Sequence, residues 1–252
     1  MVQRVDILGV GIHALTPDTA VQEIAAAVRA GRRGYVCVTG VHGLMEAQDD
    51  PEFLRILNAA CLVTPDGMPT VWVGRLRGHR GMRRVYGPDL MLQVCARSVR
   101  EGWRHYLYGG HPGVAMALGH ALATRFPGLR IVGADTPPFR PLTPPEEAAL
   151  IVRVRQACPD LLWVGLGTPK QERFMARMVD RLEATVMLGV GAAFDVHTGR
   201  VRDAPGWVKR AGLQWLHRLA QEPRRLGPRY LRNNPRFIWR VARELAGVGR
   251  VG

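Results

Sequence analysis

Two short stretches place anion-binding chemistry at strand ends. LLWVGLGTPKQERF (161–174) runs four apolar residues into Gly165, turns through Gly167, Thr168 and Pro169, and opens a helix with Lys170-Gln171-Glu172. HYLYGGHPGVAMAL (105–118) follows the same plan with Gly109-Gly110 and Pro112. Free amides and the helix dipole at such a turn attract an anion, and Lys170 adds a charge. Two of them point to a phosphorylated small molecule at one edge of an α/β sheet. The same turns also serve as plain βα connections, and a lone glycine-rich turn is weak evidence. A third stretch, CLVTPDGMPTVW (61–72), offers a carboxylate. Pro65-Asp66-Gly67 is an excellent turn sequence on its own. Its position after an apolar strand, at the ligand-binding edge of a sheet, makes Asp66 a candidate general base. Thr39 ends the preceding strand (YVCVTG) and can meet Asp66 in space. Arg84, in RRVYGPDLM (83–91), can reach an anion or serve as a surface arginine. Asp89 reads as a helix cap or turn residue, and His42 as a loop histidine with no identified partner.

These residues need a scaffold, and alternation supplies one. Apolar runs predict strands at 4–9, 34–39, 61–64, 104–109, 129–133, 160–166 and 184–190. Helical patterns fall between them at 17–30, 51–59, 88–100, 112–125, 144–157 and 169–182. Thr143-Pro-Pro-Glu146 has the form of a capping box, and Thr16-Pro17-Asp18 is a similar start signal. The expected fold is α/β: a Rossmann-like, mostly parallel sheet flanked by helices.

At 252 residues with 47% hydrophobic content, the chain buries a real core and is not disordered. Cys37, Cys61, Cys95 and Cys158 form no CxxC and no Cys/His ligand pattern. Three of them, Cys37, Cys61 and Cys158, lie in or beside apolar runs, where small buried residues and a reducing compartment are expected. Met1 leads straight into RVDILGVGI, which reads as a first strand rather than a signal peptide. No run approaches the roughly 18–20 apolar residues that span a bilayer.

Charge divides the chain. The net charge is +14, almost all from arginine, and residues 200–252 carry +10 of it. The expected organisation is a core over 1–199 and a basic helical appendage over 200–252. In PGWVKRAGLQWLHRLAQ (205–221), Val208, Ala211, Trp215 and Leu219 share one helical face. A second short basic helix is expected near 224–232 and a third after Pro235. Such an appendage can be an ordinary helical cap, or a module whose tryptophans and arginines sit among lipid headgroups.

TPDGMPTVW, RVYGPDLM, LYGGHPGVA, VGLGTPKQE and GVGAAFDVHTGRVRDAPGW, followed by LQWLHRLAQEPRR, resemble in order the bacterial WecG/TagA/CpsF glycosyltransferases, from about residue 5 to about 240. The resemblance implies an inverting enzyme. It would move N-acetylmannosamine, its uronate or glucose from a UDP-sugar to a polyprenyl-diphosphate-linked saccharide for cell-envelope or exopolysaccharide synthesis. It assigns the base to Asp66 and active-site roles to Thr39 and Arg84. Donor contacts fall on Gly109, Gly110, Gly167, Thr168, Lys170, Gln171 and Asp195. The lipid diphosphate falls to Arg218, Arg225 and Arg229. Many members carry Thr-x-Asn after the second strand, and here Val41 stands in the asparagine's place, which leaves the sugar contacts open.

The chain contains no D-x-D. Stabilising the leaving diphosphate would then fall to arginines and glycine-rich turns, with no metal or other cofactor. The expected site is cytoplasmic, peripheral on the inner face of the membrane, with anionic lipid as a partner and oligomeric state left open. Two other classes compete. A nucleic-acid-binding protein would use the basic tail, but no recognition motif accompanies it. An NAD-dependent oxidoreductase would need a G-x-G-x-x-G fingerprint, for which Gly9-Val10-Gly11 is the one candidate, and it lacks the third glycine.

Overall fold

A computed structural model describes residues 2–247. Met1 and 248–252, the end of the expected appendage, lie outside the described residues. The chain runs β1 (Arg4–Ile7), β2 (Val10–His13), α1 (Pro17–Arg29), β3 (Gly34–Thr39), α2 (Val41–Asp49), α3 (Pro51–Ala59), β4 (Leu62–Pro65), α4 (Met68–Leu76), α5 (Gly87–Glu101) and β5 (Arg104–Gly109). It continues with α6 (Val114–Arg125), β6 (Arg130–Asp135), α7 (Pro144–Ala157), β7 (Leu161–Gly165), α8 (Lys170–Met178), β8 (Val186–Gly189), α9 (Ala193–His197), α10 (Gly206–Arg210), α11 (Gln214–Gln221) and α12 (Pro223–Leu245).

Six strands pair in parallel in the order β4-β3-β8-β7-β5-β6. Parallel strands covered on both faces are apolar throughout, and β3, β7 and β8 are buried almost end to end. One face packs against α2, α3, α7 and α8, the other against α1, α5, α6 and α9. Helix starts follow the sequence. Thr143 donates to the Glu146 carboxylate from both its N–H and its hydroxyl, at 2.7 and 2.9 Å. At α1 the reciprocal partner of Thr16 is Thr19 rather than Asp18.

The first predicted strand, 4–9, is not part of this sheet. Leu8 and Gly9 both adopt positive φ, 55° and 79°, and turn the chain into the antiparallel hairpin β1–β2. Gly9-Val10-Gly11 is therefore a hairpin turn. The hairpin docks on edge strand β4, where the Val63 N–H donates to His13 Nδ1 at 3.0 Å. That contact covers part of an otherwise open strand edge. Burial, with the nearby Arg4 charge, lowers the His13 pKa to about 4, which keeps the acceptor nitrogen free of a proton. Cys37 is buried as expected, and Cys95 is buried as well, whereas Cys61 and Cys158, also expected to be buried, are exposed beside their apolar runs.

The appendage differs from expectation beyond Pro223. The two separate helices expected around Pro235 are one, α12, with Pro228 and Pro235 inside it. Tertiary contacts carry the helix across Pro235. Arg232 and Arg236 straddle it and both pair with Asp49 of α2, at 3.2 and 2.6 Å. Phe237 and Val241 are buried in the same apolar cluster as Leu44 and Met45 of α2.

Gly40, between β3 and α2, shows how tightly the strand ends are set. A Cβ there would lie 2.3 Å from the Asp66 carbonyl oxygen. Gly40→Ala should therefore displace the Asp66 turn and destabilise the fold by roughly 1–3 kcal/mol, the usual cost of overpacking. Urea unfolding of the variant against the parent chain measures this.

Candidate active site

The C-terminal ends of β3, β4, β7 and β8 face one cavity of about 730 Å³. From β3 the chain steps outward to β4, while β8 lies on its other side. Diverging connections open a crevice at such a point, where open α/β sheets hold ligands.

Backbone bonds build the first wall. Thr39 is the register partner of Pro65. The Asp66 N–H donates to the Thr39 carbonyl at 2.8 Å, and the Val85 N–H to the Pro65 carbonyl at 2.8 Å. These bonds draw residues 84–86 alongside Asp66. Arg84 donates from Nε and Nη2 to Asp66 Oδ1, each at 3.2 Å, and its guanidinium lies 4.4 Å from the Tyr86 ring centroid. The Asp66 side chain is 31% exposed, on the floor of a deep cleft. Burial in that cleft pushes its pKa above the ordinary carboxylate value. The Arg84 charge and hydrogen bonds oppose the rise, and Arg218 adds to that opposition. A carboxylate with a raised pKa in a ligand-sized cleft has the character of a candidate general base. Thr39 is buried and sits behind this wall, with its γ-methyl against Gly43 of α2.

The second wall is the β7–α8 turn. Gly167, Thr168 and Gln171 line the cavity. Gln171 is buried. Its Oε1 accepts from the Gly191 N–H at 3.0 Å, and its Nε2 donates to Glu172 Oε1 at 3.0 Å. The Thr168 hydroxyl donates to the same oxygen at 2.8 Å. This network ties the β7–α8 turn to the loop after β8. Burial raises the Glu172 pKa. Lys170 is exposed at the start of α8 and does not line the cavity. Gly109, Gly110 and Asp195 also lie outside the lining. The Gly110 N–H donates to the Gly165 carbonyl at 3.0 Å, and a Cβ on Gly109, whose φ is 138°, would meet the Gly165 backbone at 2.6 Å. Those glycines let β5 and β7 end side by side. Asp195 pairs with Arg200 at 3.6 Å.

The third wall is the appendage. It is anchored by Lys209, which pairs with Asp203 at 2.5 Å and with Asp89 at 3.1 Å, and Asp203 also accepts from the Tyr86 hydroxyl at 3.2 Å. Arg218, Arg225 and Arg229 all line the cavity. Arg218 and Arg225 share one carboxylate, Glu222, at 3.4 and 2.5 Å. Burial, together with the charges of Arg225 and Arg218, lowers the Arg229 pKa. The Nε atoms of Arg218 and Arg229 are buried with no hydrogen-bond partner in the protein. Buried guanidinium donors left unpaired are costly.

His42 is not the loop residue expected from sequence. It lies in the first turn of α2, lines the cavity, and meets Asn233 of α12 at 3.2 Å. Burial and the Arg229 charge lower its pKa to about 4, so it is neutral at pH 7. Helix α2 went unread because Gly40 gives it no side-chain cap and Gly43 interrupts it. Among the described residues, no three His, Cys, Asp or Glu side chains cluster as a metal site.

Fold and site together define an α/β protein with a carboxylate and an arginine cluster facing one crevice. The chain belongs to the WecG/TagA/CpsF family of glycosyl transferases, whose profile matches residues 5–250. It is also 27% identical over 174 residues to the N-acetylglucosaminyldiphosphoundecaprenol N-acetyl-beta-D-mannosaminyltransferase of Bacillus subtilis (strain 168). That match covers 69% of this chain and 66% of the relative, just under two thirds of the relative's length.

Removing the Arg84 charge leaves burial unopposed by its nearest cation. In Arg84→Gln, Asp66 should titrate at a higher pH than in the parent chain. Carboxyl ¹³C NMR titration checks the direction of the shift.

Proposed function

We propose that this protein is an inverting glycosyltransferase that moves a sugar from a UDP-sugar to a polyprenyl-diphosphate-linked saccharide in cell-envelope or exopolysaccharide synthesis. The observation that carries the reading is the pair of unpartnered guanidinium nitrogens, on Arg218 and Arg229, lining the same cavity as Asp66. Family membership and the relative's printed substrate name, a sugar on diphosphoundecaprenol, support it.

The chemistry follows from the residues. The Asp66 carboxylate takes the proton of an acceptor hydroxyl. The oxygen forms its bond to the anomeric carbon from the face opposite the leaving group, and the bond from that carbon to the UDP oxygen breaks. Configuration inverts in the single displacement. Negative charge grows on the diphosphate as the bond breaks. Preorganised donors in a water-poor cleft then stabilise the transition state more than the ground state. Arg84 and the glycine-rich turns supply those donors, while Arg218, Arg225 and Arg229 hold the lipid diphosphate of the acceptor. In this reading Thr168, Lys170 and Gln171 shape the donor end, and Gly109, Gly110 and Asp195 act on the donor from outside the present cavity lining. N-acetylmannosamine, its uronate and glucose are the candidate sugars. Val41, in place of the asparagine common in the family, bears on that choice.

The appendage is proposed to rest on the inner face of the membrane. Trp207, Trp239 and Leu231 are exposed among arginines, and among the described residues no helix is long and apolar enough to cross a bilayer. Tryptophan favours the interface, and basic residues are drawn to anionic headgroups.

Three outcomes test this reading. Asp66→Asn should keep the fold and UDP affinity while turnover falls roughly 10²–10⁴-fold, the usual worth of a positioned base. Near-normal transfer by that variant would show that Asp66 is not the base. With no D-x-D in the chain, transfer should persist in excess EDTA. Loss there, with rescue by Mg²⁺ or Mn²⁺, would assign the leaving-group charge to a metal. Flotation with anionic vesicles should recover the protein at low salt and lose it at high salt, and neutral vesicles should recover far less.

A further inference from the structure

The cavity has two chemically distinct ends. Asp66, Arg84 and the three appendage arginines occupy one. From there α4 and α12 run outward together. Helix α4 begins directly after Asp66-Gly67. Helix α12 passes Arg225, Arg229 and Asn233, the last in contact with His42 near the strand ends. At the far end Arg77, the C-cap of α4, pairs with Glu244 of α12 at 2.7 Å. The two helices are thus side walls of one trough, pinned together at its far end. The nine residues of α4 give it a length of about 13 Å.

Toward that end the lining turns apolar. Trp72 and Leu76 lie one turn apart on α4, and Ile238, Val241, Ala242 and Leu245 recur at helical spacing on α12. Leu76 is 73% exposed and Ile238 is 67% exposed, yet both line this single concavity. Large apolar side chains gathered in one groove mark a binding surface, unlike apolar residues scattered singly. The groove is continuous with the arginine-lined end. Its occupant therefore carries an anionic head that meets arginines and an apolar tail.

We propose that the α4–α12 trough is the binding site for the first isoprene units of the lipid carrier, with the carrier's diphosphate seated at the arginine end. This rests on the reading of the acceptor as a polyprenyl diphosphate. It adds that this chain grips the hydrocarbon itself, beyond what a membrane surface contributes. The chain would leave the trough past Leu76 and Leu245.

Calorimetric titration of the full chain, without membrane or detergent, with farnesyl diphosphate and with inorganic diphosphate tests the proposal. Farnesyl diphosphate should bind at least tenfold more tightly, since buried apolar area adds affinity that the bare diphosphate lacks. Leu76→Glu and Ile238→Glu, both at exposed positions that the fold tolerates, should erase that advantage. Leu231→Glu, equally exposed on α12 but outside the cavity lining, should keep it. Equal affinity for the two ligands in the parent chain would overturn the proposal. So would an advantage that survives in both trough variants. Sedimentation showing a dimer that Leu76→Glu dissolves would assign the trough to a second copy and also overturn it. A farnesyl advantage without any sugar transfer would leave the trough standing and remove the transferase reading.

Discussion

The cleft end of this molecule turns on one carboxylate held against one arginine. Burial on the cleft floor pushes the Asp66 pKa up, and Arg84 opposes the rise through two hydrogen bonds to one oxygen. The balance has structural preconditions. Gly40 must lack a side chain so that the Asp66 carbonyl can pass beside it. Val85 must bond back to Pro65 so that Arg84 arrives alongside. Asp66 and Arg84 are set by strand register and a turn, which are rigid, rather than by mobile side chains alone.

The appendage completes the site by closing over the strand ends with positive charge. Arg218 and Arg225 share a single glutamate, and the Nε atoms of Arg218 and Arg229 are unpartnered, an arrangement that costs stability. The compensation lies elsewhere on the same helix. Asp49 clamps Arg232 and Arg236 across Pro235, and Phe237 and Val241 are buried. Without those contacts a helix with two internal prolines would have little reason to continue.

The sheet was legible because buried parallel strands are written as continuous apolar runs, and the helices between them carry Pro and Thr start signals. The parallel sheet and the Asp66 turn followed from these local patterns, and the individual appendage arginines came from the family resemblance. What was not legible depended on distant partners. Nothing near Gly9 distinguishes a hairpin from a first sheet strand until β4 is there to receive His13. Helix α2 lacks a capping side chain and hides His42, whose partner Asn233 lies 191 residues away. Pro235 reads locally as a stop, and only Asp49 and the core override it. The roles of Gly109 and Gly110 were half legible. Glycine is required there, and the requirement comes from the Gly165 backbone alongside.

The central claim is that Arg218 and Arg229, whose Nε atoms find no acceptor in the protein, hold a diphosphate. Thermal unfolding with a graded ligand series tests it most directly, because a ligand selective for the folded state raises its stability by mass action. Inorganic diphosphate should raise the Tm clearly and inorganic phosphate much less. Arg218→Ala and Arg229→Ala should each reduce the diphosphate shift toward that of phosphate. Equal stabilisation by the two ions, or a diphosphate shift that survives in both arginine variants, would contradict the account.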